Sequence, residues 1–439
     1  MALSCTTHKG STRQTGRGSW SVDTAITMLK SKVGGPTADM GAFFLWLRQI
    51  VSNKTRQIEV SVVSSNFTRF SSKSRKVISA YTENLSFENA LSGSNAKTRA
   101  HTFPAISIHH IPHARIKYNP RFSGIFVENR CLIPVRLEPR PWEFRGGVSR
   151  DFSGRIAWQT AHFIATKKAL RPTRLSKAIF IGTRAPHNYY HWMINGLPQL
   201  FIADTVACVP KDWPVIVPEP VLANPNLLAA LHAISQGRTI VPLDTDCELE
   251  VEDLAVVDPP PVYDTPLSIN LAHRIPLGMN GGLMRKYRSA LLAANPHGVS
   301  PHEVGRYIYL TRAHGDPRSP NNAQLEQVAR DLGFSLVRAE QYNFFDQMAI
   351  FQNAQVIIGA SGAAFTNLIF CRKGTLALIW KPKTLARENF FANAASVSGA
   401  KLFSLETDGH HSGPAKSASW ELSPARLGRA VNTLLSKTL

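Results

Sequence analysis

The chemistry in this sequence concentrates first around one histidine. His191 lies within Asn188-Tyr189-Tyr190-His191-Trp192-Met193-Ile194-Asn195-Gly196-Leu197-Pro198. The apolar run 178–182 before it reads as a buried strand, and 199–203 after it as helix. α/β proteins bind ligands at the carboxyl ends of strands, so this junction marks a ligand-facing edge. If the turn at 188–190 opens a helix, His191 and Asn195 stand four residues apart on one face. A neutral imidazole can take a proton from a hydroxyl near pH 7. Taken alone, the segment is better served by a histidine packed beside Trp192 with one hydrogen bond.

A second constellation is Gly359-Ala360-Ser361-Gly362-Ala363-Ala364-Phe365-Thr366-Asn367-Leu368, a strand end, a turn of small residues and a helix start. Small side chains admit a backbone close to a ligand, and amides at a helix N-terminus attract phosphate. The spacing is neither a dinucleotide fingerprint nor a Walker loop, and tight strand–helix packing would use the same residues. Arg312 ends the strand 307–311, with Arg318 six residues on; an arginine there pairs with phosphate through its planar fork. Glu340 falls at a strand end, suited to ribose hydroxyls, and Gln347 on the next helix. A rival reading makes Ser361 a hydrolase nucleophile followed by Asp408 and His410, but Ala363 stands where that elbow has its last glycine. Asp244-Thr245-Asp246 resembles a D-x-D metal motif, and an acidic loop is the plainer reading. His101, His109, His110 and His113 lack acidic or cysteine partners at metal-ligand spacing, so no metal site is assigned.

These residues need a scaffold of alternating strands and helices. The pattern is strand at 215–217, helix at 224–235, strands at 239–241 and 254–257, and helix at 283–295. It resumes with strand 307–311, helix 323–332, strand 334–337, helix 345–353, and strands 356–359 and 376–380. Such alternation predicts parallel sheets covered by helices. Strands at 124–127 and 131–135 open the first folded unit. The expected organisation is a basic, partly disordered extension over 1–100, a Rossmann-like domain over 101–298 and a second over 299–439, with 4–21 disordered and 61–100 a solvated linker or a loosely built extension.

Composition agrees with a globular chain of 439 residues, 44% hydrophobic and 18% charged. Residues 1–150 hold 22 Lys and Arg against 8 Asp and Glu, most of the formal +20. That favours acidic partners, anionic membrane included, but no aromatic-interleaved basic motif suggests nucleic acid. Five scattered cysteines fit a reducing compartment. The run 41–47 is too short to span a membrane and too deep for a standard signal peptide, which makes the sequons at Asn53, Asn66 and Asn84 chance matches.

Together the segments resemble glycosyltransferase family 61, from about 178 to 405. The resemblance rests on Asn188-Tyr189-Tyr190-His191-Trp192 with Leu197-Pro198, on Tyr307-Ile308-Tyr309-Leu310-Thr311-Arg312 with Asn322, and on Gln347, Phe351, Ala354 and 358–370. It implies an α/β fold of GT-B type: two Rossmann-like doubly wound domains facing across a cleft. It implies an inverting hexosyl- or pentosyltransferase working from a nucleotide-sugar donor on a saccharide or lipid-linked acceptor in surface polysaccharide synthesis. No cofactor is firmly implied, and a divalent metal stays open. Candidate catalytic residues are His191 and Asn195. Donor candidates are Arg312, Arg318, Glu340, Gln347, Ser361, Gly362, Ala363, Thr366 and Asn367; acceptor candidates are Asn188, Tyr189, Tyr190 and Trp192. The family usually has Asp at position 195 and frequently His at 361, which raises a catalytically weakened homologue as an alternative. Plant members carry a membrane anchor; its absence here suggests the bacterial type, cytoplasmic and peripheral to the inner face of the plasma membrane.

Overall fold

The computed structural model describes residues 58–437, apart from 65–66, 86–88, 92–98, 104, 120–121, 129, 133–155, 160–162, 168–171, 184, 207, 245–246, 259, 261–278, 296–303, 317, 386–389 and 409–419. Two sheets carry the fold. Among the described residues, the larger has eleven strands. Ile240–Leu243, Val215–Pro218, Thr173–Phe180 and Glu248–Val257 run parallel at one side. Ile106–Asn119 continues the sheet antiparallel to Glu248–Val257, and further strands follow it to Ile156–Gln159. The second sheet has six parallel strands in the order Ser335–Val337, Tyr307–Leu310, Val356–Ala360, Leu376–Lys381, Lys401–Glu406, Asn89–Ala90. Val356–Ala360 and Leu376–Lys381 are buried at every position. Continuous apolar runs of this kind belong to parallel strands covered on both faces.

Helix starts follow local chemistry. Asn224 caps Pro225–Ser235, its Oδ1 accepting from the amides of Asn226 (3.0 Å) and Leu227 (3.3 Å). Asn280 caps Gly281–Ala293 and Asn343 caps Phe344–Asn353 in the same manner. A single apolar core joins the sheets: Ile179, Trp192, Leu231, Tyr287, Ile308, Phe344, Ile357 and Leu368 belong to it. On the second sheet, Tyr309 and Ile358 alternate with Ile308 and Ile357 and face the opposite way. There they pack with Trp380 and the helix Pro424–Leu435.

The 61–100 stretch carries strands, which sets aside the solvated linker and leaves the alternative of a built extension. Ile58–Ser64 and Lys73–Ile78 join the larger sheet, Tyr81–Leu85 pairs with Arg99–Phe103, and Asn89–Ala90 extends the second sheet. Lys73, Arg75 and Lys76 are exposed on their strand. Ile58–Ser64 lies inside the larger sheet, but the others pair at edges, where backbone pairing asks little of side-chain hydrophobicity and lysines are common, so composition hid them. The disorder expected at 4–21 lies outside the described residues, as does most of the domain junction expected near 298. No helix among the described residues is long and apolar enough to cross a membrane.

Candidate active site

Thr173–Phe180 leads into the first junction. Asn188 starts its turn, Oδ1 accepting from the amides of Tyr190 (3.0 Å) and His191 (3.4 Å). His191–Gly196 then winds as a π-helix before Leu197–Thr205 continues as α-helix. Pro198 has no N–H to offer the carbonyl of Ile194, so the ordinary i→i−4 ladder breaks here and a wider turn is tolerated. The buried Gln199 ties that turn to the strand end, donating from Nε2 to the carbonyls of Asn195 (2.7 Å) and Gly182 (2.8 Å). Gly196 is required by packing, since a Cβ there would lie 2.8 Å from Cε3 of Trp192.

His191 and Asn195 meet as their spacing predicts, Nδ1 to Oδ1 at 3.1 Å. With the amide oxygen as acceptor, Nδ1 carries the proton and Nε2 keeps the lone pair. Asn195 is buried, while His191 is only half-buried. The neutral amide therefore orients the ring, and the imidazole is the less buried of the two side chains.

The second junction lies at the carboxyl ends of two adjacent parallel strands, with Leu310 opposite Gly359. The Ser361 amide donates to the carbonyl of Trp380 at 2.9 Å, and Ala363–Phe370 follows as a 3₁₀-helix. Arg312 leans across this turn. Nη1 pairs with Asp316 at 3.0 Å, and Nη2 donates to the carbonyls of Ala360 (3.3 Å) and Ser361. A Cβ at Gly362 would stand 2.2 Å from Nη2, so the guanidinium occupies the space a side chain would take. Arg312 Nε is buried with no hydrogen-bond partner among the described residues. Burial pulls the Arg312 pKa down, and the charge of Arg318 adds to this.

Asp316 links both arginines. Its carboxylate also receives Arg318 Nε (3.1 Å), Nη2 (2.9 Å) and backbone amide (2.9 Å). Burial works to raise this carboxyl's pKa, but those hydrogen bonds and the two guanidinium charges outweigh it, holding it well below the usual carboxylate range. Beneath the loop, Asn322 donates to Thr311 Oγ1 (2.9 Å) and Glu326 Oε1 (2.7 Å) and accepts from the hydroxyls of Tyr309 (3.0 Å) and Ser319 (3.1 Å).

Other candidates sit differently from their expected places. Trp192 is sealed in the core, its Nε1 donating to the carbonyl of Leu227 at 3.3 Å, so it offers no surface to an acceptor. Tyr190 is buried edge-on against Phe390 and Phe391. Tyr189 gives its hydroxyl to Asn367 Oδ1 at 2.6 Å. Gln347, Thr366 and Asn367 are buried as well, too deep to touch a donor directly. Ser361, Gly362 and Ala363 line the half-buried turn. Glu340 is exposed at the carboxyl end of its strand and paired with Arg338 at 2.8 Å. The rival use of Ser361 loses a partner: Asp408 is occupied by the Ser423 amide (2.6 Å) and Arg426, while His410 lies outside the described residues. Among the described residues, no three His, Cys, Asp or Glu side chains gather as a metal site; Thr245 and Asp246 lie outside them.

Sequence reasoning missed Asp316 and Arg288. Asp316-Pro317-Arg318 is a turn-initiating pattern in which Asp bonds the amide two residues on, and that was the available signal. Arg288 reaches from Gly281–Ala293 to the carbonyl of Cys371 (2.9 Å) at the end of the 3₁₀-helix, and nothing local announces so distant a contact.

A guanidinium lies over a small-residue turn and an imidazole stands on a widened helical turn, both at strand ends of an α/β protein. Residues 189–378 match the family model described as Glycosyltransferase 61. The chain thus resembles glycosyltransferase family 61 over a stretch that contains the His191 turn, Arg312 and the 359–370 turn. The match supports a glycosyltransferase, with a sugar donor and an acceptor as its substrates. No curated protein matches the chain.

Proposed function

We propose that the protein transfers a hexose or pentose from a nucleotide-sugar donor to a saccharide or lipid-linked saccharide, with inversion, in surface polysaccharide synthesis. The observation that carries this reading is the Arg312–Gly362 pinch. A guanidinium lies on a turn of small residues at the carboxyl edge of a parallel sheet, filling the space over Gly362, and such a cation suits a diphosphate.

In the reaction, His191 Nε2 accepts the proton of the acceptor hydroxyl as its oxygen bonds to the anomeric carbon. The bond from that carbon to the diphosphate breaks in the same displacement. The leaving charge falls to Arg312, to Arg318 and to the amides of residues 362–364. The half up to about residue 298 holds the acceptor and the half from 299 the donor, in a GT-B-like arrangement. The basic N-terminal third supports a peripheral, cytoplasmic position on anionic membrane.

Calorimetric titration with UDP-, GDP- and CMP-sugars, joined to a donor-hydrolysis assay and NMR of the product anomer, tests the reading. Binding and turnover are both lost in Arg312→Ala, whereas His191→Ala loses turnover alone. No binding to any nucleotide sugar overturns it. Asn195 in place of a carboxylate favours one second reading, a binding homologue with weak turnover; tight binding without turnover in the natural chain would establish that.

A further inference from the structure

Tyr189, Gln347 and Asn367 belong to one buried circuit. Tyr189 Oη donates to Asn367 Oδ1 (2.6 Å), Asn367 Nδ2 donates to Gln347 Oε1 (2.8 Å), and Gln347 Nε2 donates to the carbonyl of Tyr342 (3.0 Å). Each group donates once, in one direction. Burial drives the Tyr189 phenol well above its usual range, against the opposing effect of the Asn367 bond, so the hydroxyl keeps its proton. The same Tyr342 carbonyl accepts from Asn226 Nδ2 at 3.1 Å. Asn226 lies on Pro225–Ser235, whose Leu227 carbonyl receives Trp192 Nε1. The circuit therefore leaves the 188–198 junction at Tyr189, crosses to the second sheet's elements and meets Asn226 at the shared Tyr342 carbonyl, while the next residue on that helix, Leu227, holds Trp192. The two residues it grips flank His191 on either side.

We propose that this circuit is a positioning device, with Tyr189, Asn367, Gln347 and Asn226 fixing His191 against the 359–370 turn rather than binding substrate. A base attached to one sheet and a phosphate turn attached to the other have no shared backbone to set their distance. An apolar core joins them, but dispersion contacts are non-directional, whereas a chain of oriented amides admits one register. Misplacement of a reacting group by about 1 Å can cost on the order of 100-fold in rate. This inference deepens the glycosyltransferase reading, yet its structural part stands apart from it.

The test uses the full chain and the variants Tyr189→Phe, Asn367→Ala and their double. Hydrogen–deuterium exchange is followed in peptides covering 188–196 and 363–370, alongside UDP affinity and UDP-glucose hydrolysis. Both single variants should speed exchange at 188–196 by about tenfold, and the double variant should be no faster than the worse single, since both act through one chain. UDP affinity should stay within about twofold while kcat falls by about 100-fold with KM little changed. Exchange unchanged in both single variants overturns the proposal, as does a rise in KM without loss of kcat, which would make Tyr189 a substrate contact. Additive effects of the two substitutions on exchange would also overturn it. Should the natural chain bind no UDP and hydrolyse no UDP-glucose, the glycosyltransferase reading is in question, and the exchange measurements still decide the circuit.

Discussion

At the 188–198 junction the backbone widens into a π turn around a buried indole. At the 359–370 junction it tightens into a 3₁₀-helix after a run of small residues. The first holds His191 half-buried at the start of a π turn whose other residues, 192–196, are packed away. The second contributes backbone, and its side-chain chemistry comes from Arg312 on the neighbouring strand. Gly196 and Gly362 make the contrast concrete. Gly196 makes room for a ring locked in the core, Gly362 for the far end of a long, hydrogen-bonded side chain. A region that presents a base needs rigid support, and one that receives a ligand's charge needs room and a cation. The loss of any part should therefore be felt as stability at the first junction and as affinity at the second.

Trp192→Ala puts the largest strain on that division. Removing a fully buried indole should cost about 3–5 kcal/mol, seen as a large fall in thermal midpoint, with donor affinity preserved in whatever remains folded. Gly362→Ala should do the opposite. The Arg312 guanidinium must swing away and lose its carbonyl contacts, which should cost about 1 kcal/mol of stability but lower nucleotide-sugar affinity by about tenfold. Equal stability losses in the two variants, by thermal melts, would erase the distinction.

Asn195→Asp sharpens the role of the first junction. A carboxylate beside His191 Nδ1 favours the imidazolium, so the acid limb of the kcat/KM profile should move to higher pH, with donor affinity unchanged. An unmoved limb would remove His191 from the proton transfer.

The smallest effect belongs to Asp316. Its carboxyl lies below its unfolded value, so its contribution to stability is complete above about pH 4 and fades as the pH falls through the folded value. Asp316→Asn should lower stability at pH 7 modestly and flatten the acid side of the stability curve, as urea melts across pH would record. An unchanged acid side would mean that the clasp contributes nothing to folding.

Much of the scaffold was legible in the sequence because its signals are local. Val356–Ala360 is a run of apolar and small residues, Leu376–Lys381 is apolar up to its final lysine, and Asn224 and Asn343 cap the helices they precede. The pairing of His191 with Asn195 followed from spacing alone. Less legible was whether a polar or aromatic side chain faces a ligand or the core. Tyr189, Tyr190, Trp192, Gln347 and Asn367 have the composition of a binding surface, yet each is drawn into packing or hydrogen bonds with residues far along the chain. The strands within 58–103 were hidden for a related reason: their partners are distant, and apart from Ile58–Ser64 they pair at edges, which leaves no apolar pattern.

By itself the sequence determined the α/β alternation, the two strand-end junctions and the residues that give the family resemblance, because periodicity, capping and turn chemistry act over a few residues. Only the tertiary structure decided that His191 stands out while its aromatic neighbours turn inward, that Arg312 fills the space over Gly362, and that Tyr189 ties one sheet's junction to the other's. Those outcomes depend on what packs from across the molecule, where burial must satisfy each polar group with whichever partner the fold brings near.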